Sequence, residues 1–237
     1  MKNFVRFSIF SVIVLLATNS SAATITGKVV YDGEKPKLRE IKMDADPICI
    51  THHGESVYPQ TIVLGENNEI GNIFVHVKSG LPKKDYPTPT EEVVISQKGC
   101  MYDPHVIGVM VKQTVKILNP DGTLHNVHAL PKVNAEFNLA MPKFRTEVTK
   151  TFDKPEFFFP IKCDVHPWMG AWISVMAHPY FDVTGSDGTF EIKDLPAGEY
   201  EIEAWQEKLG TQTAKVTLAE GATQEVNFTY SKPTKNE

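Results

Sequence analysis

Residues 157–175 read FFFPIKCDVHPWMGAWISV. Phe157, Phe159 and Ile161 fall on one face of a strand by period two, and Cys163 continues that face. The loop that follows offers Cys163, His166 and Met169 in the spacing C-x-x-H-x-x-M. A short loop at the end of a strand can turn a thiolate, an imidazole and a thioether toward one point. A second imidazole is available upstream, in Asn119-Pro-Asp-Gly-Thr-Leu-His125-Asn-Val-His128, where the strand Val115–Leu118 opens into a turn.

Two histidines and one cysteine around a weak axial methionine make the trigonal donor set of a blue-copper centre. Zinc would also accept His125, Cys163 and His166, but it favours a harder ligand or a second thiolate where Met169 stands. Taken singly the signals are weak, since C-x-x-H pairs arise by chance and a buried methionine usually packs a core. Strand, loop and upstream histidine together point to copper.

Period-two alternation runs through most of the chain. Thr24–Tyr31, Ile73–Lys78, Val93–Ser96, Gly108–Leu118, Thr189–Ile192, Tyr200–Trp205, Thr213–Leu218 and Gln224–Tyr230 read as strands. Asp-Gly pairs at 32–33, 121–122 and 187–188 mark turns between them. No stretch keeps an apolar stripe at helical period, so the expected class is all-β, built as Greek-key sandwiches.

The stretch from Val93 to Val175 resembles the cupredoxins, and among them the amicyanins. The shared features are His125-Asn-Val-His128, the short Cys163-x-x-His-Pro-aromatic-Met169 loop, and Met101-Tyr-x-Pro104 upstream. The resemblance implies a cupredoxin β-sandwich with one type 1 copper on His125, Cys163, His166 and Met169. It implies that His128 does not bind metal and that the Asn126 amide fixes the loop behind the thiolate. It also implies a redox-protein partner, such as a dehydrogenase or a cytochrome, and electron passage through an exposed edge of His166, with Trp168 beside it. The chain departs from the pattern at Lys112-Gln113, where a Gly-Asp turn is usual, and at Val165, where a proline is common.

A second resemblance lies in residues 183–230. The Asp187-Gly188 turn before Phe190, the turn Leu195-Pro-Ala-Gly198-Glu-Tyr200 and two amphipathic strands after it are similar to transthyretin-like, or carboxypeptidase regulatory-like, modules. Such modules begin with a strand of the type found at Ile25–Tyr31. The implied organisation is a split module, residues 24–90 with 178–232, carrying the copper domain 91–177 between its halves, then a tail at 233–237.

Residues 1–23 read as a secretory leader: Lys2 and Arg6, an apolar run from Phe7 to Ala17, then small residues with cleavage after Ala22 or Ala23. The run is short for a membrane span, which needs about 18 or more apolar residues. The expected location is the periplasm. The formal charge of −5 becomes −7 once Lys2 and Arg6 are removed, and with no basic run nucleic acid is a poor partner.

The chain has three cysteines, Cys49, Cys100 and Cys163. Cys49 and Cys100 admit two readings. One is a disulfide tying the N-terminal segment to the copper domain, which an oxidising compartment favours. The other is a second metal site drawing on Cys49, His52 or His53, Cys100 and His105. His76 and His178 read as structural. No nucleophile motif, acid pair or phosphate loop is visible, and an oxygen- or nitrite-activating enzyme would need a second, His-rich centre. An electron carrier is the expected function. A copper carrier or store, or a cell-surface interaction module with structural copper, are the rivals.

Overall fold

The computed structural model describes residues 21–44 and 46–232. Most of the leader reading, residues 1–20, and the tail 233–237 lie outside that description. In chain order the strands are β1 (Ala23–Asp32), β2 (Val63–Leu64), β3 (Ile70–Gly71), β4 (Phe74–Ser79), β5 (Val93–Ser96), β6 (Val106–Met110), β7 (Val115–Leu118), β8 (His125–Ala129) and β9 (Phe137–Met141). They continue as β10 (Glu147–Lys150), β11 (Glu156–Lys162), β12 (Gly170–Met176), β13 (Phe181–Val183), β14 (Thr189–Leu195), β15 (Gly198–Gln206), β16 (Gly210–Leu218), β17 (Thr223–Glu225) and β18 (Phe228–Ser231). One short helix, α1 (Pro47–Thr51), interrupts them. No helix among the described residues is long and apolar enough to cross a membrane.

The chain is all-β, and its strands make two sandwiches. The first stacks β14-β1-β17, with β18 also paired to β1, over β13-β4-β15-β16. Strands from both ends of the sequence thus share one core, in which Ile25, Val75, Ile202 and Tyr230 are buried. The hairpin β15–β16 alternates more and less buried residues along its length, buried against half-buried in β15 and half-buried against exposed through most of β16. β1 pairs with β17 and then with β18, and the backbone crosses very close to it at the change: a Cβ on Gly27 would sit 1.8 Å from the Val226 carbonyl oxygen. Glycine is therefore required there.

The second sandwich stacks β10-β7-β5 over β6-β12-β11-β8-β9. Two expectations from the sequence are corrected in it. Gly108–Leu118 is not one strand: β6 and β7 belong to opposite sheets. Lys112 takes φ 65° between them, and the Gln113 side chain accepts from Met110 N and donates to Glu91 O, which closes the crossover. Nor does Phe157 share the inward face of Phe159 and Ile161. The β11–β12 register shifts between Glu156 and Phe159, with Phe158 at φ 48°. The bulge leaves Phe157 exposed and turns Glu156 inward, where it accepts the backbone N–H groups of Lys132, Val133 and Asn134.

The same bulge aims Phe158 at the other sandwich, where it stacks on Trp205 with centroids 3.8 Å apart. Phe74, Val106, Met176, Trp172 and Phe181 complete this apolar seam. His105 bolts the seam at one end: one ring nitrogen lies 3.0 Å from Gly170 O and the other 2.5 Å from Glu207 Oε1. At its other edge, His76 lies 3.3 Å from Glu203 Oε1 and His178 packs against Tyr86 and Tyr180.

Replacing Phe158 with alanine should cost about 2–3 kcal/mol, since a half-buried aromatic stack is lost and a cavity opens between sandwiches. Urea unfolding should show a lower midpoint, and the two sandwiches should begin to melt apart. Burial holds His178 down to about 4 from an ordinary 6.5, helped by the nearby His76. The unfolded chain therefore binds the extra proton first, and this contribution to stability, present above pH 6.5, is lost as pH falls toward 4. His178→Asn should reduce the loss of unfolding free energy between pH 7 and pH 5, read by urea titration, by roughly 1 kcal/mol or less given partial solvent screening.

Candidate metal centre

Strands β8 and β11 are antiparallel neighbours, with Lys162 opposite His128 and Ile161 opposite Ala129. That register places the start of β8, His125, beside the end of β11, where the chain leaves the sheet at Cys163. The 163–169 loop closes on itself through Cys163 N to Met169 O at 3.2 Å and Met169 N to His166 O at 2.9 Å. Three side chains are thereby gathered at one end of the sandwich, the donor atoms of His125, Cys163 and His166 lying within 4.8 Å of one another; His125 is 0% exposed, Cys163 2% and His166 1%, and Met169, which closes the loop, is buried as well.

The two imidazoles meet through their Nδ1 atoms, 2.9 Å apart, and Cys163 Sγ lies 3.7 Å from His166 Nδ1. Their outer nitrogens are both engaged by carboxylates. His125 Nε2 is 3.0 Å from Asp121 Oδ2, and His166 Nε2 is 3.2 Å from Asp46 Oδ2. An imidazole that donates Nε2–H to a carboxylate is fixed in the tautomer whose Nδ1 carries a lone pair. Two such lone pairs facing each other beside a thiol form a cradle for a cation, so the residues present fit a copper ion.

The charges around the two imidazoles differ, and at His125 a proton competes with a cation for Nδ1. Burial disfavours the charged form of His125, but Asp121 and Cys163 outweigh it and lift the imidazole to about 8. Burial likewise works against the Cys163 thiolate, yet His125 and the Asn126 N–H pull the thiol below its usual range. For His166 burial is the larger influence and lowers the imidazole despite Asp46. Asp121 is held below the usual carboxylate range against its own burial by His125 and by the N–H groups of Cys100 and Gly99.

Asn126 stitches the segments that carry His125 and Cys163 together. Its Oδ1 accepts Asp164 N at 2.6 Å, its Nδ2 donates to Asn138 Oδ1 and Asp164 Oδ2, and its backbone N–H points at Cys163 Sγ from 3.5 Å. Buried Tyr102 adds a second stitch, donating to Asn126 O at 2.7 Å and lying 3.2 Å from Lys162 O. His128 turns outward to Asp164 and Glu136.

Cys49 and Cys100 are joined as a disulfide, and Cys163 is the free cysteine among the described residues. His105 is spent between Gly170 and Glu207, His53 contacts Gly99 O, and His52 faces Asp121 Oδ1 at 3.4 Å. The His166 edge is the clear departure from expectation. It is not at the surface, because Asp46 and Cys49 cover it, with Cys49 Sγ 3.6 Å from His166 Nε2. Trp168 leans on His166 at 5.1 Å between ring centroids and donates Nε1–H to Cys100 O.

Sequence reasoning missed Asp46, Asp121, Tyr102 and Asp164. Asp121 carried a usable signal, standing four residues before His125 within the Asn119-Pro-Asp-Gly turn. Asp46 carried none beyond its place before Pro47, since its role depends on a fold-back from a distant segment.

Residues 167–231 match the family described as carboxypeptidase regulatory-like domain. The matched span opens inside the metal loop and takes in β12 before running through β13 to β18. No match to a curated protein sequence was found. Solved structures with similarity include a copper-containing nitrite reductase from Thermus scotoductus SA-01, at 21% identity and TM-score 0.32, covering 41% of this chain and 25% of that one. The chain thus spans about a quarter of the reductase's length. A purple cupredoxin from Nitrosopumilus maritimus matches at 20% identity and TM-score 0.30, covering 35% of this chain and 99% of that one. An oxidised amicyanin variant matches at 24% identity and TM-score 0.33, covering 43% and 98% respectively. The strands make the chain all-β, and residues 167–231 are similar to the carboxypeptidase regulatory-like domain.

Proposed function

We propose that this chain is an exported type 1 copper protein that passes single electrons between redox proteins. His125 Nδ1, Cys163 Sγ and His166 Nδ1 would be the strong ligands and Met169 a weak fourth donor. The observation that carries this reading is the 2.9 Å meeting of two imidazole Nδ1 atoms beside a buried free cysteine. Soft thiolate and thioether with two imidazoles suit both copper oxidation states. When bound, copper supplies the one-electron chemistry, Cu(I) to Cu(II) and back.

The protein's part is to hold the donors still. Asp121 and Asp46 fix both tautomers, Asn126 and Tyr102 tie β8 to the cysteine loop, and the closed 163–169 loop holds Met169 in place. Donors fixed this way rearrange little between oxidation states, which favours fast electron exchange. A copper carrier would need ligands that open readily, and the burial of His166 beneath Asp46 favours electron carrying instead. The leader reading places the protein in the periplasm, with a cytochrome or dehydrogenase as the class of partner. Residues 24–90 with 178–232 form one module in this reading, supported by the β1–β14 and β4–β15 pairings, and 91–177 is the copper domain set into it. The module serves as scaffold or docking element.

The deciding measurement is the visible spectrum of the Cu(II)-loaded chain. An intense thiolate-to-copper band should appear, vanish on reduction, and be absent from Cys163→Ala; a colourless copper-bound protein would favour the carrier, and no copper uptake would end the reading. Asp121→Asn should keep the band but weaken copper affinity about 10- to 100-fold, the range seen when a partner of a ligating histidine is lost. Competition with a chelator of known affinity measures it.

A further inference from the structure

The resemblance to cupredoxins implies an exposed edge on the second ligand histidine, and His166 has none, being 1% exposed. What covers it comes from outside the sandwich. Among the described residues between β1 and β2, the five-residue α1 is the one helix or strand, so the segment has little regular structure to hold it. Yet Asp46 is tightly placed. Its Oδ1 accepts Ile48 N at 2.8 Å, capping α1, while its Oδ2 accepts Thr123 Oγ1 at 2.7 Å and faces His166 Nε2 at 3.2 Å.

Three residues on, Cys49 is fully buried against the same imidazole and bonded to Cys100. Cys100 is itself fixed to the centre: its N–H donates to Asp121 Oδ2 at 2.8 Å and its carbonyl accepts Trp168 Nε1 at 3.0 Å. Asp121 in turn holds His125. One disulfide thus joins the carboxylate that orients His166 to the carboxylate that orients His125.

We propose that residues 46–51 form a cap latched onto the metal centre by the Cys49–Cys100 disulfide, and that Asp46 is the positioning residue for His166. The cap holds Nε2–H, directs Nδ1 inward and seals the imidazole edge from solvent. While the latch is closed, a partner does not reach the centre through that edge. The proposal rests on the copper reading for its purpose, but the covering of His166 is a property of the polypeptide alone.

The test uses the full chain in two states. Without metal, acylation of histidines by diethyl pyrocarbonate is followed by peptide mass spectrometry, with the more exposed His52 as internal reference. His166 should react at least tenfold more slowly than His52 in the disulfide-bonded protein, and should approach it in Cys49→Ser/Cys100→Ser. With Cu(II) bound, Asp46→Asn should retain the thiolate band, shift the copper hyperfine splitting in the electron paramagnetic resonance spectrum, and release copper to a chelator about tenfold faster. If the double cysteine variant does not fold, Thr123→Val, which frees Asp46 from its hydroxyl partner, is read by both assays with the same expectations. Equal labelling of His166 and His52 in the wild type overturns the cap. An Asp46→Asn protein with unchanged hyperfine splitting and release rate overturns the positioning role. Absence of copper uptake by the wild type would end the copper reading alone, leaving the labelling result to decide the cap.

Discussion

Two buried imidazoles with Nδ1 atoms 2.9 Å apart repel one another unless something positive lies between them, and the rest of this end of the molecule is organised around holding them there. Each ring must be prevented from turning away or from moving its proton to the inner nitrogen. Asp121 does this for His125 from within the same turn, and Asp46 does it for His166 from a remote segment. Both carboxylates are themselves held by further donors, Asp121 by two backbone N–H groups and Asp46 by Thr123 and Ile48 N. A carboxylate so satisfied is the better acceptor position to rely on, because it has few alternative geometries.

That constraint reaches into the fold. The β8–β11 register puts His125 and Cys163 side by side, and the Asn126 amide bonds keep the two segments from sliding. The β11 bulge preserves the inward face at Phe159, Ile161 and Cys163 while spending Phe158 on the seam with the other sandwich. Gly170, at the exit of the 163–169 loop, is tied through His105 to Glu207 on the β15–β16 hairpin turn of the first sandwich. The regulatory-like part is therefore not simply appended. Its hairpin turn braces the strand on which the metal loop ends, and the cost of moving one sandwich would be felt at the other.

What the sequence made legible follows from the range of the interactions involved. The C-x-x-H-x-x-M loop and the His125–His128 motif are local, and their spacing places donors near one another before any tertiary structure is considered. Period-two patterning identified most strands of the first sandwich, whose hairpins alternate cleanly. It failed where backbone strain breaks the period, at Lys112 and Phe158, because a single residue at positive φ reverses which face the following side chains take. It also passed over β10, whose residues carry little apolar signal, and β9, although Phe137, Leu139 and Met141 alternate at period two there. Asp46 was illegible for a different reason: nothing within ten residues of it says that it will meet His166, 120 positions away.

The cap is the point at which this chain parts from the pattern its ligand motifs suggest. A segment with almost no strand or helix of its own cannot order itself by backbone pairing, and ordering it costs about 1–2 kcal/mol per residue in conformational entropy. A covalent link between Cys49 and Cys100 meets part of that cost in advance, by restricting the unfolded chain. The link lies directly against His166, where it also excludes water with two sulfur atoms. Dry surroundings strengthen the Asp121–His125 hydrogen bond, which is screened less than it would be at a surface. The sealing of the edge and the orientation of the ligands are thus one device. Opening the cap would therefore also loosen His166, because the atoms that cover the ring are the atoms that orient it.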